Sequence, residues 1–238
     1  MRLFYTASLV LTLASCSIVS PQQSRQQCAV PGEVPATRPT RVDYKNSDVA
    51  VDYYGLSLSW SPQFCNSQNG KSNPANQWQC SDHTFGFVVH GLWPQSAQAK
   101  RNDEHPRFCK SPETLDASVI RPHLCTMAGA QLIQDEWNKH GSCAWPNATA
   151  YLDQVEKLYR NLVLPDLQAG RTTAGEVRSA ILNANRDKGL KAEHTEVRVI
   201  SGNRFSEFMI CYDKKFRFAA CADMGTPDQV EVSVAARN

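Results

Sequence analysis

The chain predicts an α+β domain: a mainly antiparallel central sheet flanked by helices and tied by disulfides. Three observations lead there. The apolar pattern alternates early, turns helical in the middle, and alternates again toward the C-terminus. The 238 residues include nine cysteines, all widely spaced. The chain also opens on a basic residue and a short apolar run, the pattern of an export signal. With 42% hydrophobic and 20% charged residues, one good-sized core can be buried. The formal net charge is only +2, so binding to a polyanion has to come from a local cluster.

Arg2 followed by Leu3 to Ala14 forms the export pattern, and the apolar part is too short to span a bilayer. It ends in Leu13-Ala14-Ser15-Cys16, which resembles a bacterial lipobox, where cleavage precedes a cysteine whose thiol is lipidated. Ser17 after that cysteine points to the outer membrane. The competing reading is an ordinary secretory signal cut nearby. Setting Cys16 aside leaves Cys28, Cys65, Cys80, Cys109, Cys125, Cys143, Cys211 and Cys221, an even set able to form four disulfides. No C-x-x-C pair occurs, which argues against a zinc ribbon or a thioredoxin-like site. The expected organisation is a signal peptide over 1–16, a tether over 17–45 and one folded domain over 46–238. Pro, Gln, Ser and Thr dominate the tether, and a disulfide at Cys28 would pin part of it. The protein is then exported, to the periplasm or the outer membrane as a lipoprotein, or secreted. Its membrane contact is through the N-terminal lipid alone, and the domain is expected to be a monomer. A glycosylation sequon at Asn147-Ala148-Thr149 is the one sign of a eukaryotic secretory origin.

Asp52 to Trp60 alternates as a first strand, which Ser61-Pro62 ends. A polar loop over 66–79 follows, with Cys65 and Cys80 expected to bridge it. Phe85 to Val89 is β-branched and aromatic, a buried strand that leaves His90 at its end, before Gly91 and Pro94. A charged loop runs from Lys100 to Lys110, then a helical stretch around Pro112 to Arg121. Cys143 closes a loop to Cys109 or Cys125, leaving the other for Cys28. Tyr151 to Val163 is amphipathic, with Leu152, Val155, Leu158, Tyr159 and Leu162 on one face. Thr173-Ala174-Gly175-Glu176 is a capping box opening a helix to about Asn185. Glu196–Ile200, Arg204–Cys211 and Lys215–Ala219 alternate as strands, and Cys211 with Cys221 brackets the last turn. The tail after Met224 carries no readable pattern.

Two segments carry chemistry: FVVHGLWP (Phe87–Pro94) and DEWNKHGSC (Asp135–Cys143). In a helix reaching His140, residues Glu136, Lys139 and His140 stand at i, i+3 and i+4 on one face. Two imidazoles on two rigid elements, with Glu and Lys between them, suit acid–base work on a phosphodiester. RNA can be cleaved by its own 2′-hydroxyl, given a base, an acid and positive charge for the transition state. Histidine titrates in the right range for both proton transfers. Singly, each residue has a plainer explanation: a structural histidine, a helix C-terminal cation, a solvated face, a core tryptophan. His83, His105, His123 and His194 keep that explanation because no constellation surrounds them. A metallohydrolase is disfavoured, since Glu136-x-x-x-His140 is not the H-E-x-x-H spacing.

FVVHGLWP and EWNKHGSC resemble the two active-site signatures of the ribonuclease T2 family, the secreted transferase-type acid ribonucleases with bacterial periplasmic members. DYYGLSLSWSPQFC resembles the family's first strand and cysteine, and FSEFMICYD its late strand, so the resemblance runs from Asp52 to Cys221. It implies an α+β fold, a single-stranded RNA substrate, a 2′,3′-cyclic phosphate intermediate and no metal or other cofactor. By position His140 is the base and His90 the acid of the first step, while Glu136 and Lys139 stabilise the transition state. Trp93 matches an aromatic of a base pocket. Two positions depart from the pattern. Asp135 stands where many members have a phosphate-holding histidine, and Gln95 where some read the base with Asp. A catalytically silent RNA- or protein-binding relative is the rival, and the intact His90, Glu136, Lys139, His140 set argues against it.

Overall fold

The computed structural model describes residues 28–81 and 84–237. The expected signal peptide, Cys16, the start of the tether and His83 lie outside the described residues. Six strands form one sheet: β1 (Tyr53–Trp60), β2 (Phe87–Gln95), β3 (Gly170–Thr173), β4 (Thr195–Ile200), β5 (Arg204–Tyr212) and β6 (Glu231–Val234). The order β2-β1-β5 is antiparallel, β4 flanks β5 on its other side, and β6 with β3 extends beyond. Among the described strands the single pairing of β5 with β6, Arg204 to Ser233, is parallel, as is an isolated bridge from Val197 of β4 to Gly225. The domain is α+β, and among the described residues it has four short α-helices and three longer ones. The short ones are α1 (Ser61–Cys65), α2 (Gln68–Lys71), α3 (Gln77–Cys80) and α4 (Ala117–Ile120). The longer ones are α5 (Ala130–Lys139), α6 (Ala148–Arg160) and α7 (Ala174–Ala184).

Alternation divides the sheet into two faces. Leu56, Leu58 and Trp60 of β1, Phe208 and Ile210 of β5 and Val197 of β4 are fully buried in the core. Tyr151, Leu152 and Val155 of α6 and Val177 and Ile181 of α7 belong to the same core cluster. The opposite face carries Ser57 and Ser59, Glu207 and Met209, and Glu196 and Arg198, in register across three strands.

Strand β2 differs from its expected form in a way that matters for the site. It does not stop at His90 but continues through Gly91 and Pro94 to Gln95. Pro94 is tolerated because β2 lies at the end of the sheet, pairing with β1 alone, where a missing N–H costs no ladder bond. The register slips between Ser57–Gly91 and Leu58–Val89, which leaves His90 as the extra residue of a β-bulge. In a regular strand His90 and Trp93, three residues apart, would face opposite sides. The bulge puts both on the polar face while Val89 and Leu92 stay in the core.

The caps read from sequence recur in the helices. Thr173 and Glu176 make the reciprocal capping box of α7. The side chain of Asn147, the sequon asparagine, accepts from Ala150 N and opens α6 three residues earlier than periodicity indicates. Other expectations are corrected. The 66–79 loop contains α2 and α3. The helix near Pro112 shrinks to α4 and a 3₁₀ turn, Arg121–His123. Lys215–Ala219 is no strand: Asp213 accepts from the backbone of Lys215 and Arg217, folding a turn with Phe216 at φ 59°. The tail does contain a strand, β6, and β3 carried no sequence signal.

The disulfides are Cys28–Cys125, Cys65–Cys80, Cys109–Cys143 and Cys211–Cys221. Residues 28–45 are not a free tether. Cys28 is bonded to Cys125, Val30 and Val34 pack on the core, and Thr37, Arg38 and Thr40 hydrogen-bond to Gln134, Gln131 and Asp135 of α5.

Glu156 of α6 shows how the helices set β2. Its carboxylate accepts from Thr126 Oγ1 and from Arg160 Nε, with His123 Nδ1 at 3.9 Å. Thr126 in turn accepts Val89 N–H at 2.8 Å. Burial raises the Glu156 pKa, but the bonds from His123, Thr126 and Arg160 outweigh it, lowering it from 4.5 to about 2. A depressed carboxylate stabilises the fold fully above its unfolded value and loses that stabilisation as pH falls through the folded one. Glu156→Gln is therefore expected to lower Tm at pH 7 by roughly 3–6 °C, for charge-assisted bonds worth about 1.5 kcal/mol. It should also flatten the decline in stability below pH 4.5, which thermal melts across pH would measure.

Candidate active site

The bulged strand β2, the C-terminal turn of α5 and the loop before Phe108 enclose a cavity of about 220 Å³. His90, Trp93, Glu136, Lys139 and His140 line it, so the geometry gathers residues from both sequence motifs in one place. Both imidazoles meet the Trp93 indole, His90 edge-on at 5.2 Å and His140 tilted at 5.5 Å between centroids.

Glu136 is the joint between the two elements. It is 5% exposed, yet its Oε2 accepts the Trp93 indole N–H at 2.7 Å and its Oε1 lies 3.5 Å from His90 Nε2. A buried carboxylate needs such partners. The approach depends on Gly91, where a Cβ would collide with Glu136 Oε2 and reach within 2.6 Å of Trp93 Nε1. Gly141, after the other histidine, is equally constrained: a Cβ there would sit 2.6 Å from Tyr151 and 2.7 Å from Trp137. His140 is the C-cap of α5, its N–H bonded to Glu136 O, and Cys143 three residues later is fixed to Cys109.

The electrostatics separate the two histidines. Burial opposes a charge on His90. However, the bond to Glu207 and the charges of Glu136 and Glu207 prevail over it and over Lys139, raising the pKa to about 9. His140 is pushed well below the ordinary imidazole range, first by burial and then by the positive charges of Lys139 and Arg107. Its Nδ1 is buried with no hydrogen-bond partner among the described residues. An imidazolium would add a second N–H to satisfy, so the neutral ring is favoured. Burial also lifts Glu136 above the usual carboxylate range, against the pull of His90, Trp93 and Lys139.

The remaining expected residues divide. Gln95 lines the cavity, with its Nε2 donating to Pro94 O. Asp135 is not on the cavity wall: its Oδ1 accepts from Thr40 Oγ1 and Gln131 Nε2, holding the N-terminal segment. Trp93 lies in the cavity, but its ring is already met by His90, His140 and, at 5.4 Å, Arg198. Sequence reasoning missed His105, Arg107, Arg198 and Glu207. His105 and Arg198 line the cavity, and His105 Nδ1 accepts the Ser96 N–H. Arg107 is held from behind by Asp43 and by the Tyr44 hydroxyl. Glu207 accepts from His90 Nδ1 at 2.5 Å. The one available signal was the polar parity of Arg198 and Glu207 on otherwise apolar strands. Among the described residues no cluster of three or more His, Cys, Asp or Glu could hold a metal ion.

Two imidazoles in opposite electrostatic surroundings, with a carboxylate and a lysine around the same cleft, make up a set of groups capable of general acid–base transfer. Residues 51–221 match the family model described as the Ribonuclease T2 family, and the chain belongs to that family. A Haemophilus influenzae protein named "Probable ribonuclease" is 36% identical over 191 residues, covering 74% of this chain and 63% of that protein. A ribonuclease of Aeromonas hydrophila is 38% identical over 103 residues, covering 43% of this chain and 42% of that protein. The chain thus spans less than two thirds of either relative. The fold is similar to that of an RNase-related protein from Calystegia sepium, at TM-score 0.61 and 23% identity, over 79% of this chain and 98% of that one.

Gly91→Ala tests the joint without reference to activity. The displaced Glu136 should release the Trp93 N–H, shifting its indole proton resonance, at a stability cost of about 1–3 kcal/mol. An unchanged indole resonance in the folded variant would show that the clamp tolerates a methyl group.

Proposed function

We propose that the protein is an exported endoribonuclease that cleaves single-stranded RNA by transfer to the ribose 2′-hydroxyl, without a metal or other cofactor. The observation that carries this reading is that one cavity brings His90 and His140 together with Glu136 and Lys139, and gives the two imidazoles opposite electrostatic surroundings. Neutral His140 takes the proton from the 2′-hydroxyl as that oxygen attacks phosphorus. The bond from phosphorus to the 5′-oxygen breaks, and cationic His90 gives its proton to that oxygen. A 2′,3′-cyclic phosphate remains. Water then opens it to a 3′-phosphate, with the two histidines exchanging roles. Lys139 contributes positive charge to the phosphorane-like transition state. Glu136, raised toward protonation, can share a proton with a phosphate oxygen, and it fixes the Trp93 ring.

In this reading Trp93 and Gln95, both on the cavity wall, meet a base of the RNA. Asp135 has no part in this reading, because its carboxylate is engaged with Thr40 and Gln131. Export rests on the pattern over 1–16, and lipidation on Cys16. Among the described residues no helix is long and apolar enough to cross a membrane. A monomer acting on RNA that reaches the cell envelope, or the medium, completes the proposal.

Cleavage of a short single-stranded RNA in EDTA tests it, with products resolved by mass. Wild type should yield cyclic-phosphate ends, and folded His90→Ala and His140→Ala should each be at least ~10²-fold slower. The profile of kcat/KM against pH should be a bell. It rises as His140 deprotonates, below the ordinary imidazole range, and falls as His90 loses its proton near 9, the two limbs belonging to the coupled pair. No cleavage by the folded, oxidised protein would overturn the enzymatic reading.

A further inference from the structure

One carboxylate in contact with His90 takes no part in the steps above. Glu207 comes from β5, and its side chain is 19% exposed. Its Oε1 accepts from His90 Nδ1 at 2.5 Å and from Ser59 Oγ at 3.2 Å, and its Oε2 lies 3.9 Å from Arg198 Nη1. Ser59 and Arg198 are its direct neighbours across β1 and β4. Glu207 is therefore held by a side chain from each flanking strand and presents its carboxylate to the bulge of β2. His90 is the residue that the bulge leaves out of the ladder, so its backbone register does not fix where its ring points. A side-chain anchor has to do so.

We propose that Glu207 is a positioning residue. It grips His90 Nδ1 from the sheet, fixes the imidazole's orientation, and reserves Nε2 for the scissile phosphate. This rests on the ribonuclease reading of the site and adds to it a residue outside both sequence motifs. The two carboxylates around His90 divide the work. Glu136 sits 3.5 Å from Nε2 and is shared with Trp93, so an arriving phosphate can take its place. Glu207 is on the other nitrogen and stays bound throughout the reaction. A carboxylate on the far nitrogen sets the tautomer and strengthens the charged form of an imidazole.

The other groups facing His90 are all in place. Glu136 and Lys139 approach from α5, His140 from its C-terminal turn, Arg198 from β4, and His105 and Arg107 from the preceding loop. Lys139 opposes a cation at His90, and the two glutamates favour it. Glu207 itself is held below the usual carboxylate range: burial raises it, but His90, Arg198 and Ser59 more than offset that. If Glu207 only paired Arg198 to solidify the sheet, its loss would alter stability and leave the His90 titration where it is.

The experiment compares Glu207→Gln and Glu207→Asp with wild type by two readouts. The first is the NMR titration of His90 without RNA. The second is the pH dependence of kcat and KM for a short single-stranded RNA. In folded Glu207→Gln the His90 midpoint should fall from about 9 by roughly one unit or more. The high-pH limb of kcat should move down with it. At its best pH kcat should drop ~10-fold or more while KM changes little, and Glu207→Asp should recover part of both effects. Ser59→Ala, which removes one bond to the same oxygen, should shift the His90 midpoint in the same direction by less. It serves if Glu207→Gln does not fold. An unmoved His90 midpoint in Glu207→Gln, or in Ser59→Ala standing in for it, overturns the proposal. So does a fall in kcat with the pH limb in place. A midpoint that moves in a protein cleaving no RNA supports the Glu207–His90 coupling and overturns only the ribonuclease reading.

Discussion

The carboxylate of Glu136 is the interaction on which the site depends. It joins the bulged strand β2 to the last turn of α5, accepting the Trp93 N–H and standing beside His90. Burying a carboxylate costs several kcal/mol unless it is paired and hydrogen-bonded, so Trp93, His90 and Lys139 have to converge on it. Gly91 is the steric condition for that convergence, since any side chain there would displace the carboxylate. The bulge is the topological condition, because without it His90 and Trp93 would lie on opposite faces of the sheet. The sheet's core face, packed under α6 and α7, holds these parts in place. The Tyr151 hydroxyl accepts the Leu92 N–H and the Tyr159 hydroxyl donates to Phe87 O, both on β2.

From that joint the two histidines diverge. His90 lies between two carboxylates and keeps 35% of its side chain open to solvent. His140 lies among positive groups, with Nδ1 buried and unpartnered among the described residues. Their reversed environments, and not their identities alone, separate a candidate acid from a candidate base. Arg107 adds to the depression of His140, and its guanidinium is fixed by Asp43 and Tyr44. The N-terminal segment thereby contributes to the electrostatics of a cavity it does not line.

Most local signals survived into the structure, Lys215–Ala219 and the helix near Pro112 excepted, whereas features set by long-range pairing were not legible. The α+β class, strands β1, β4 and β5, the Glu176 capping box and the helical spacing of Glu136, Lys139 and His140 all follow from period and cap chemistry, which are local. The Cys65–Cys80 and Cys211–Cys221 loops were short enough to read. Whether Cys143 met Cys109 or Cys125 was open, since a roughly twofold difference in loop length changes the closure entropy by only about 0.6 kcal/mol. The bulge at His90 was invisible because a slip of one residue is defined only against the partner strand. Gly91 and Pro94 in fact looked like its stop. Glu207 and Arg198 were hidden for the same reason: each sits on a strand remote in sequence, and cross-strand register alone brings them to the cavity. The stretch 28–45 read as a tether from composition, yet its polar side chains find partners on α5 that no composition reveals.

The most direct measurement is an NMR titration of both imidazoles in the unmodified, disulfide-intact protein without RNA. The structure predicts that His90 remains charged until about pH 9 and that His140 is already neutral well below the ordinary imidazole range. Two histidines titrating together near 6.5, or in the reverse order, would contradict the assignment of acid and base and the environment that gives rise to it.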